Sequence, residues 1–211
     1  MNYESLIFDI DGTLWDSRAL VAEGYNIQLK KEGLDHLCVD AEILKTQFGK
    51  VKNVIADDLF ASIPVPERYH LIDRCMEMEQ IHMHQDPCNI GYPKVLETIQ
   101  TLAKKHRLFI VSNCECGYPE IMMEKLGLAD LFEGHLCHGD TNLPKGDTIA
   151  ILMDRFGITD AVYIGDTQGD LDASRKAGIP FVFCTYGFGT PTEWDAKIHC
   201  FSQLPEILET I

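Results

Sequence analysis

Apolar positions change their period twice along this chain. Leu6, Ile7 and Phe8 form an unbroken apolar run, the signature of a buried strand. From Asp16 to about His84 the apolar residues recur at helical spacing instead. Asp16 or Ser17 can cap a helix running to about Lys31, before Gly33, and Asp40 can cap a short one ending near Gly49. Val51, Val54, Ile55 and Leu59 mark a third. Pro64 and Pro66 break the chain, and a longer helix follows whose packed stripe reads as Leu71, Cys75, Met78 and His82. From about Pro93 the pattern alternates. A helix carrying Val95, Leu96, Ile99, Leu102 and Ala103 leads into a strand at Leu108–Val111. Then come a helix from Pro119 to Leu126, a short strand at His135–Cys137, a helix from Asp147 to Phe156, and a strand at Ala161–Ile164. A helix from Leu171 to Ala177, a strand at Phe181–Cys184 and a short helix from Ser202 to Leu208 complete the series, with Gly127, Gly157 and Gly178 as helix stops. Strands alternating with helices predict a doubly wound parallel α/β sheet covered on both faces. Residues 1–14 and 86–211 are expected to form this core, and residues 15–85 an α-helical cap inserted after the first strand.

The strands end in polar turns. Asp9-Ile10-Asp11-Gly12-Thr13 follows the first. Alternation puts Asp9 and Asp11 on one side if the strand continues through them. Two crowded carboxylates repel, so a metal ion or a lysine is expected beside them. Val111-Ser112-Asn113 places a hydroxyl at another strand end, and Leu143-Pro144-Lys145-Gly146-Asp147 places a lysine at a helix start. Gly165-Asp166-Thr167-Gln168-Gly169-Asp170 puts two more acids four residues apart after an apolar strand, again costly without a cation. In open parallel sheets, chemistry sits in the crevice beyond the strand carboxyl ends.

Taken in order, these four turns resemble the motifs of the haloacid dehalogenase superfamily of phosphatases and phosphotransferases. The helical stretch after the first motif resembles its phosphoglycolate phosphatase-like and β-phosphoglucomutase-like branch, as does the glycine-rich turn Tyr186-Gly187-Phe188-Gly189. The resemblance implies a Rossmann-like core and a phosphoryl group carried on Asp9 as an aspartyl-phosphate. Asp11 would protonate the leaving alcohol and then deprotonate the attacking water. Ser112 and the backbone N–H of Asn113 would bind a phosphoryl oxygen, and Lys145 would offset negative charge. A magnesium ion would be held at Asp9, Asp166 and the backbone carbonyl of Asp11, with Asp170 orienting a metal-bound water or Lys145. Such an ion is physically reasonable, since two like charges at 4 Å repel by roughly 4 kcal/mol at an effective dielectric near 20, and hard cations take oxygen ligands. Many relatives carry proline where Gly146 stands. An acid at position 11 favours phosphoryl transfer over carbon–halogen cleavage, because halide leaves without a proton. The Gly49-Lys50 segment corresponds to the branch's substrate-selecting loop, so Lys50 or Lys52 is expected to touch the leaving group.

Composition narrows the partners. The net charge of −15 over 211 residues argues against nucleic acid and anionic membranes, whose binders cluster Lys and Arg. It leaves phosphorylated metabolites open, because a bound cation reverses the local field. No apolar run is long enough to span a membrane. The first strand starts within about five residues, leaving no room for a secretion signal, so a cytoplasmic location is expected. The eight cysteines are irregularly spaced and read as reduced thiols. Cys114-Glu115-Cys116 is the one close pair, with Cys114 read as a packed thiol, and His135, Cys137 and His138 lack a second ligand pair for zinc. Asp172 reads as surface dipole compensation at a helix start. The expected activity is a magnesium-dependent phosphatase acting on a small phosphorylated metabolite. A phosphomutase of the same build, a phosphonatase using a cap lysine (Lys30, Lys31, Lys45, Lys50 or Lys52) and a non-catalytic binding protein stay open. The sequence carries no signal for oligomeric state.

Overall fold

The apolar runs become the strands of one sheet in a computed structural model that describes residues 3–211. In chain order these are β1 (Ser5–Phe8), β2 (Arg107–Ser112), β3 (Gly134–Cys137), β4 (Ala161–Gly165), β5 (Phe181–Cys184) and β6 (Ala196–Ile198). The spatial order is β3-β2-β1-β4-β5-β6, and every neighbouring pair is parallel. The helices are α1 (Arg18–Lys31), α2 (Ala41–Lys45), α3 (Lys52–Leu59), α4 (Glu67–Gln85), α5 (Val95–Leu102), α6 (Tyr118–Leu126), α7 (His138–Thr141), α8 (Lys145–Phe156), α9 (Gln168–Ala177) and α10 (Leu204–Leu208). None is long and apolar enough to cross a membrane.

The chain divides into two compact units. One runs to Asp16 and resumes over Asn89–Ile211; the other is Ser17–Cys88. In the first, strand alternation sorts the core onto two faces. Ile7, Phe109, Val111, Leu136, Tyr163, Phe181 and Phe183 pack with Ile149 and Leu152 of α8 and Leu171 of α9. Leu6, Phe8, Ile110, Val162, Ile164 and Val182 are also fully buried, and Phe8 meets Phe132 and Phe201 with ring centroids 6.0 Å apart. After β1 the strands build outward on one side through β2 and β3, then cross to the other side of β1 with β4. That reversal opens a crevice at the carboxyl end of β1.

Several elements differ from expectation. β6 was not foreseen, since three residues at a sheet edge show no periodicity. Neither was α7, a single turn whose start is capped by Asp140 accepting from Cys137 N at 2.8 Å. α8 begins at Lys145 rather than Asp147, because Pro144, extended at φ −55° and ψ 146°, already serves as its cap. α9 begins at Gln168 rather than Leu171, because Thr167 and Asp170 close a reciprocal capping box.

In the second unit α1 packs on α4 and α3 on α4. The buried face of α4 is Leu71, Ile72, Cys75, Glu79 and Met83. Met78 and His82 instead lie half-exposed, at 3.7 Å from Lys31 Nζ and 2.8 Å from Glu23 Oε2. Val54 is likewise exposed, with Ile55 and Ala56 forming the inner side of α3. Arg74 forks onto Glu32 at 2.6 and 2.7 Å, tying α4 to the end of α1.

Candidate active site

Four strand and helix ends bring the expected residues together. Asp9 directly follows β1 and is fixed by its N–H donating to Ile164 O at 2.9 Å. Lys145 opens α8 and reaches back over the Tyr163 ring, 5.8 Å from its centroid. Its ammonium lies 3.0 Å from Asp9 Oδ1 and 2.6 Å from Asp170 Oδ1. Asp166 follows β4 and is fully buried. Asp170, at the third position of α9, uses its second oxygen to accept from Asp166 N, Thr167 N and Thr167 Oγ1 at 3.1, 2.9 and 2.8 Å. Both of its oxygens are therefore engaged, one holding Lys145 and one holding the turn. Gly146 stands where α8 presses on α9. A Cβ there would lie 3.0 Å from Lys176 Cβ and 3.1 Å from Ala173 O, so a small residue suits the approach.

Burial and charge set the protonation of this cluster. Burial, then the Asp170 charge, pushes the Asp9 carboxyl up to about 6, against Lys145 and a hydrogen bond from Ser112. Burial alone would lower the Lys145 pKa, but Asp170 and Asp9 outweigh it and keep the ammonium charged. Burial would raise Asp170, yet Lys145 and Thr167 hold it below the usual carboxylate range. Asp166 is raised well above that range, by burial and then by Asp170 and Asp9. One lysine does not balance three acids.

Asp166 is where the imbalance is greatest. Its Oδ2 accepts from Phe188 N at 2.6 Å, and its Oδ1 is buried with no hydrogen-bond partner. Side chains are excluded around it: a Cβ on Gly12, at φ +76°, or on Gly187 would strike Asp166. One oxygen each of Asp9, Asp166 and Asp170 lie within 4.8 Å of one another. A buried, all-oxygen donor set with an unpartnered oxygen fits a hard divalent cation. A direct consequence is testable. Asp166→Asn keeps the acceptor for Phe188 N and turns an N–H₂ group toward the neighbouring carboxylates. It should stabilise the metal-free protein by about 2 kcal/mol, the worth of hydrogen bonds to a charged partner. Chemical denaturation in a chelator reads this out, and a lowered midpoint would sink the account.

Residues 6–184 match the family model of haloacid dehalogenase-like hydrolases. The chain belongs to the haloacid dehalogenase-like hydrolase family. It is similar to a phosphoglycolate phosphatase of Caulobacter vibrioides, 25% identical over 100% of this chain and 93% of that one. A phosphoglycolate phosphatase of Colwellia psychrerythraea is 28% identical over 97% and 95%. The crystal structure of a predicted phosphoglycolate phosphatase from Haemophilus somnus aligns with a TM-score of 0.84 at 23% identity, covering 98% of each chain, a likeness of fold.

This haloacid dehalogenase-like hydrolase holds Asp11 in a way the sequence did not announce. Asp11 Oδ1 accepts from Trp15 Nε1 and from Tyr118 OH, each at 2.8 Å. The two rings stack edge-on, centroids 5.5 Å apart, and both are buried. Trp15, four residues from Asp11 just after the turn, was the available signal; Tyr118, 107 residues away, was joined to it only by the sheet. Ser112 and Asn113 lie at the end of β2, with Ser112 buried and bonded to Asp9. Lys50 lies in the α2–α3 loop of the other unit, where its ammonium pairs with Asp58 at 2.6 Å and Gln47 at 3.2 Å.

Proposed function

We propose that this hydrolase is a magnesium-dependent phosphatase of small phosphorylated metabolites that carries the phosphoryl group on Asp9. The supporting observation is the buried cluster in which Lys145 bridges Asp9 and Asp170 while Asp166 keeps an unpartnered oxygen beside them. Asp9, ionised above about pH 6, attacks phosphorus as its bond to the alcohol oxygen breaks. Asp11 supplies the proton that oxygen needs. Trp15 and Tyr118, donating to Oδ1, fix the orientation of that carboxyl. The same carboxylate then takes a proton from the water that attacks phosphorus, and the bond to Asp9 breaks. Ser112, the N–H of Asn113 and Lys145 stabilise the transferring charge. Asp9, Asp166 and the backbone carbonyl of Asp11 would hold magnesium, which when bound supplies further positive charge to the phosphoryl oxygens. Lys50 and Lys52, in the Ser17–Cys88 unit, are the proposed contacts to the leaving group; that unit serves as the cap.

Phosphate release from a panel of esters, with and without magnesium, tests the reading. The names of the relatives make 2-phosphoglycolate the first ester to try. Magnesium-dependent release supports it; isomerisation primed by a bisphosphate, without net release, would overturn it in favour of a mutase.

The Trp15–Tyr118 pair makes a sharper prediction. Tyr118→Phe removes the hydroxyl that donates to Asp11 Oδ1. It should lower kcat on alkyl phosphates about tenfold, the worth of one hydrogen bond to a charged group. It should leave p-nitrophenyl phosphate nearly untouched, because that phenolate departs without a proton. Equal losses on both esters would mean that Tyr118 acts on something other than proton transfer.

A further inference from the structure

A second cluster of ligand-type side chains forms where the turn after β2 meets the turn after β3. Ser112 pairs in register with Cys137, which brings the two turns side by side. Gly139 N then donates to Cys114 O at 3.1 Å, stitching them. Cys137 Sγ lies 3.2 Å from Asp140 Oδ2, and Cys116 Sγ lies 3.4 Å from Asp140 Oδ1. The ligand atoms of Cys116, Cys137 and Asp140 all fall within 4.8 Å of one another. The thiol of Cys114 is hydrogen-bonded to Cys137 as well. Two sulfurs and a carboxylate therefore surround one point, and a third sulfur, that of Cys114, is bonded to one of them. Cys137 anchors it at 1% exposure, while Cys116 and Asp140 are exposed and leave it open to solvent.

We propose that Cys116, Cys137 and Asp140 form a binding site for a thiophilic divalent cation, with zinc as the best fit and the fourth position left to the adjoining Cys114 thiol or to water, that fastens the β2–α6 turn to the β3–α7 turn. Zinc takes four ligands in tetrahedral array and accepts thiolate and carboxylate together. The aspartate cluster offers oxygen alone, so the two sites select different metals. On binding, each coordinating thiol releases its proton to solvent and gives an S–Zn bond, with no change of oxidation state. A disulfide would use two of the three sulfurs and needs a thiolate to form. Burial, then neighbouring Cys137 and the acids nearby, raises the thiols of Cys114 and Cys116, the latter up to about 12, so zinc binding, which must expel the same protons, should tighten as pH rises. The turn so fastened carries Ser112 and Asn113 at one end and Tyr118 at the other, so the cation would stiffen it without meeting substrate. The sequence concealed the site because Cys114-Glu115-Cys116 has no matching pair, and its other ligands, Cys137 and Asp140, come from a second turn that only the sheet brings near.

Cobalt titration of the full-length, chelator-stripped, reduced protein tests this. A sulfur-to-cobalt charge-transfer band should saturate at one equivalent, vanish when zinc is added, and persist in Asp9→Asn, whose lesion is in the other cluster. Cys116→Ser and Asp140→Asn alter exposed side chains. Each should lose the band or bind about tenfold more weakly, since even outer partners of a metal are worth that much. Native mass spectrometry should find one zinc in the wild type and less in Cys116→Ser. A wild type without the band would overturn the proposal, as would an unchanged band in Cys116→Ser. So would a disulfide joining two of the three sulfurs in the folded protein isolated without reductant.

Discussion

Asp9→Asn should fold, bind phosphate esters and release no phosphate. An amide oxygen cannot take over the attack on phosphorus, and losing a nucleophile that acts with its partners as a unit costs about 10⁴-fold or more in kcat. The fold should survive for an electrostatic reason. The Asp9 carboxyl is raised to about 6 from its ordinary 3.8. A raised acid binds more protons folded than unfolded, so its contribution to stability declines as pH climbs between those values and stays reduced above them. Removing the charge at neutral pH therefore removes a penalty, and Asp9→Asn should be at least as stable as wild type. A rapid quench with radiolabelled ester should leave acid-stable label on the wild-type peptide that holds Asp9 and none on the variant. Label on Asp9→Asn at wild-type levels would refute the assignment of the nucleophile.

The sheet and much of the site were legible because a buried parallel strand must be apolar along its length. Asp9 directly follows β1, and Asp166 directly follows the glycine that ends β4; an acid placed straight after such a run is a physical anomaly that draws the eye. Contacts made by the fold were not legible. Tyr118 reaches Asp11 because β2 lies beside β1 and α6 follows β2, which the local sequence cannot state. The inner face of α4 was misjudged for a different reason. Cys, Met and His recur around that helix, so spacing admits two phases, and packing against α1 selects Cys75, Glu79 and Met83 over Met78 and His82. Helix starts moved when capping decided them: Pro144 drew Lys145 into the first turn of α8, which aims its side chain into the acids.

Lys145→Met tests that aim and carries the second large effect. The ammonium bridges Asp9 and Asp170 at 3.0 and 2.6 Å, and its side chain is 4% exposed. Removing one partner of a buried ion pair leaves the other charge uncompensated, a loss of about 3 kcal/mol. kcat should fall about 10²- to 10³-fold, as when a preorganised donor to transition-state charge is deleted. The pH dependence separates electrostatics from packing. In the wild type, Asp170 lies below its ordinary value, so its stabilisation is present above that value and fades as pH falls through the folded one. Without Lys145 the acids are left to repel, their affinity for protons rises, and acidification toward about pH 5 should restore stability that is missing at about pH 8. Magnesium should restore part of it at the higher pH, because a ligand that binds only the folded state stabilises it by mass action. Unfolding midpoints of both proteins at the two pH values, with and without magnesium, decide the matter. A loss independent of pH and metal would mean that Lys145 fills space rather than balancing Asp9 and Asp170.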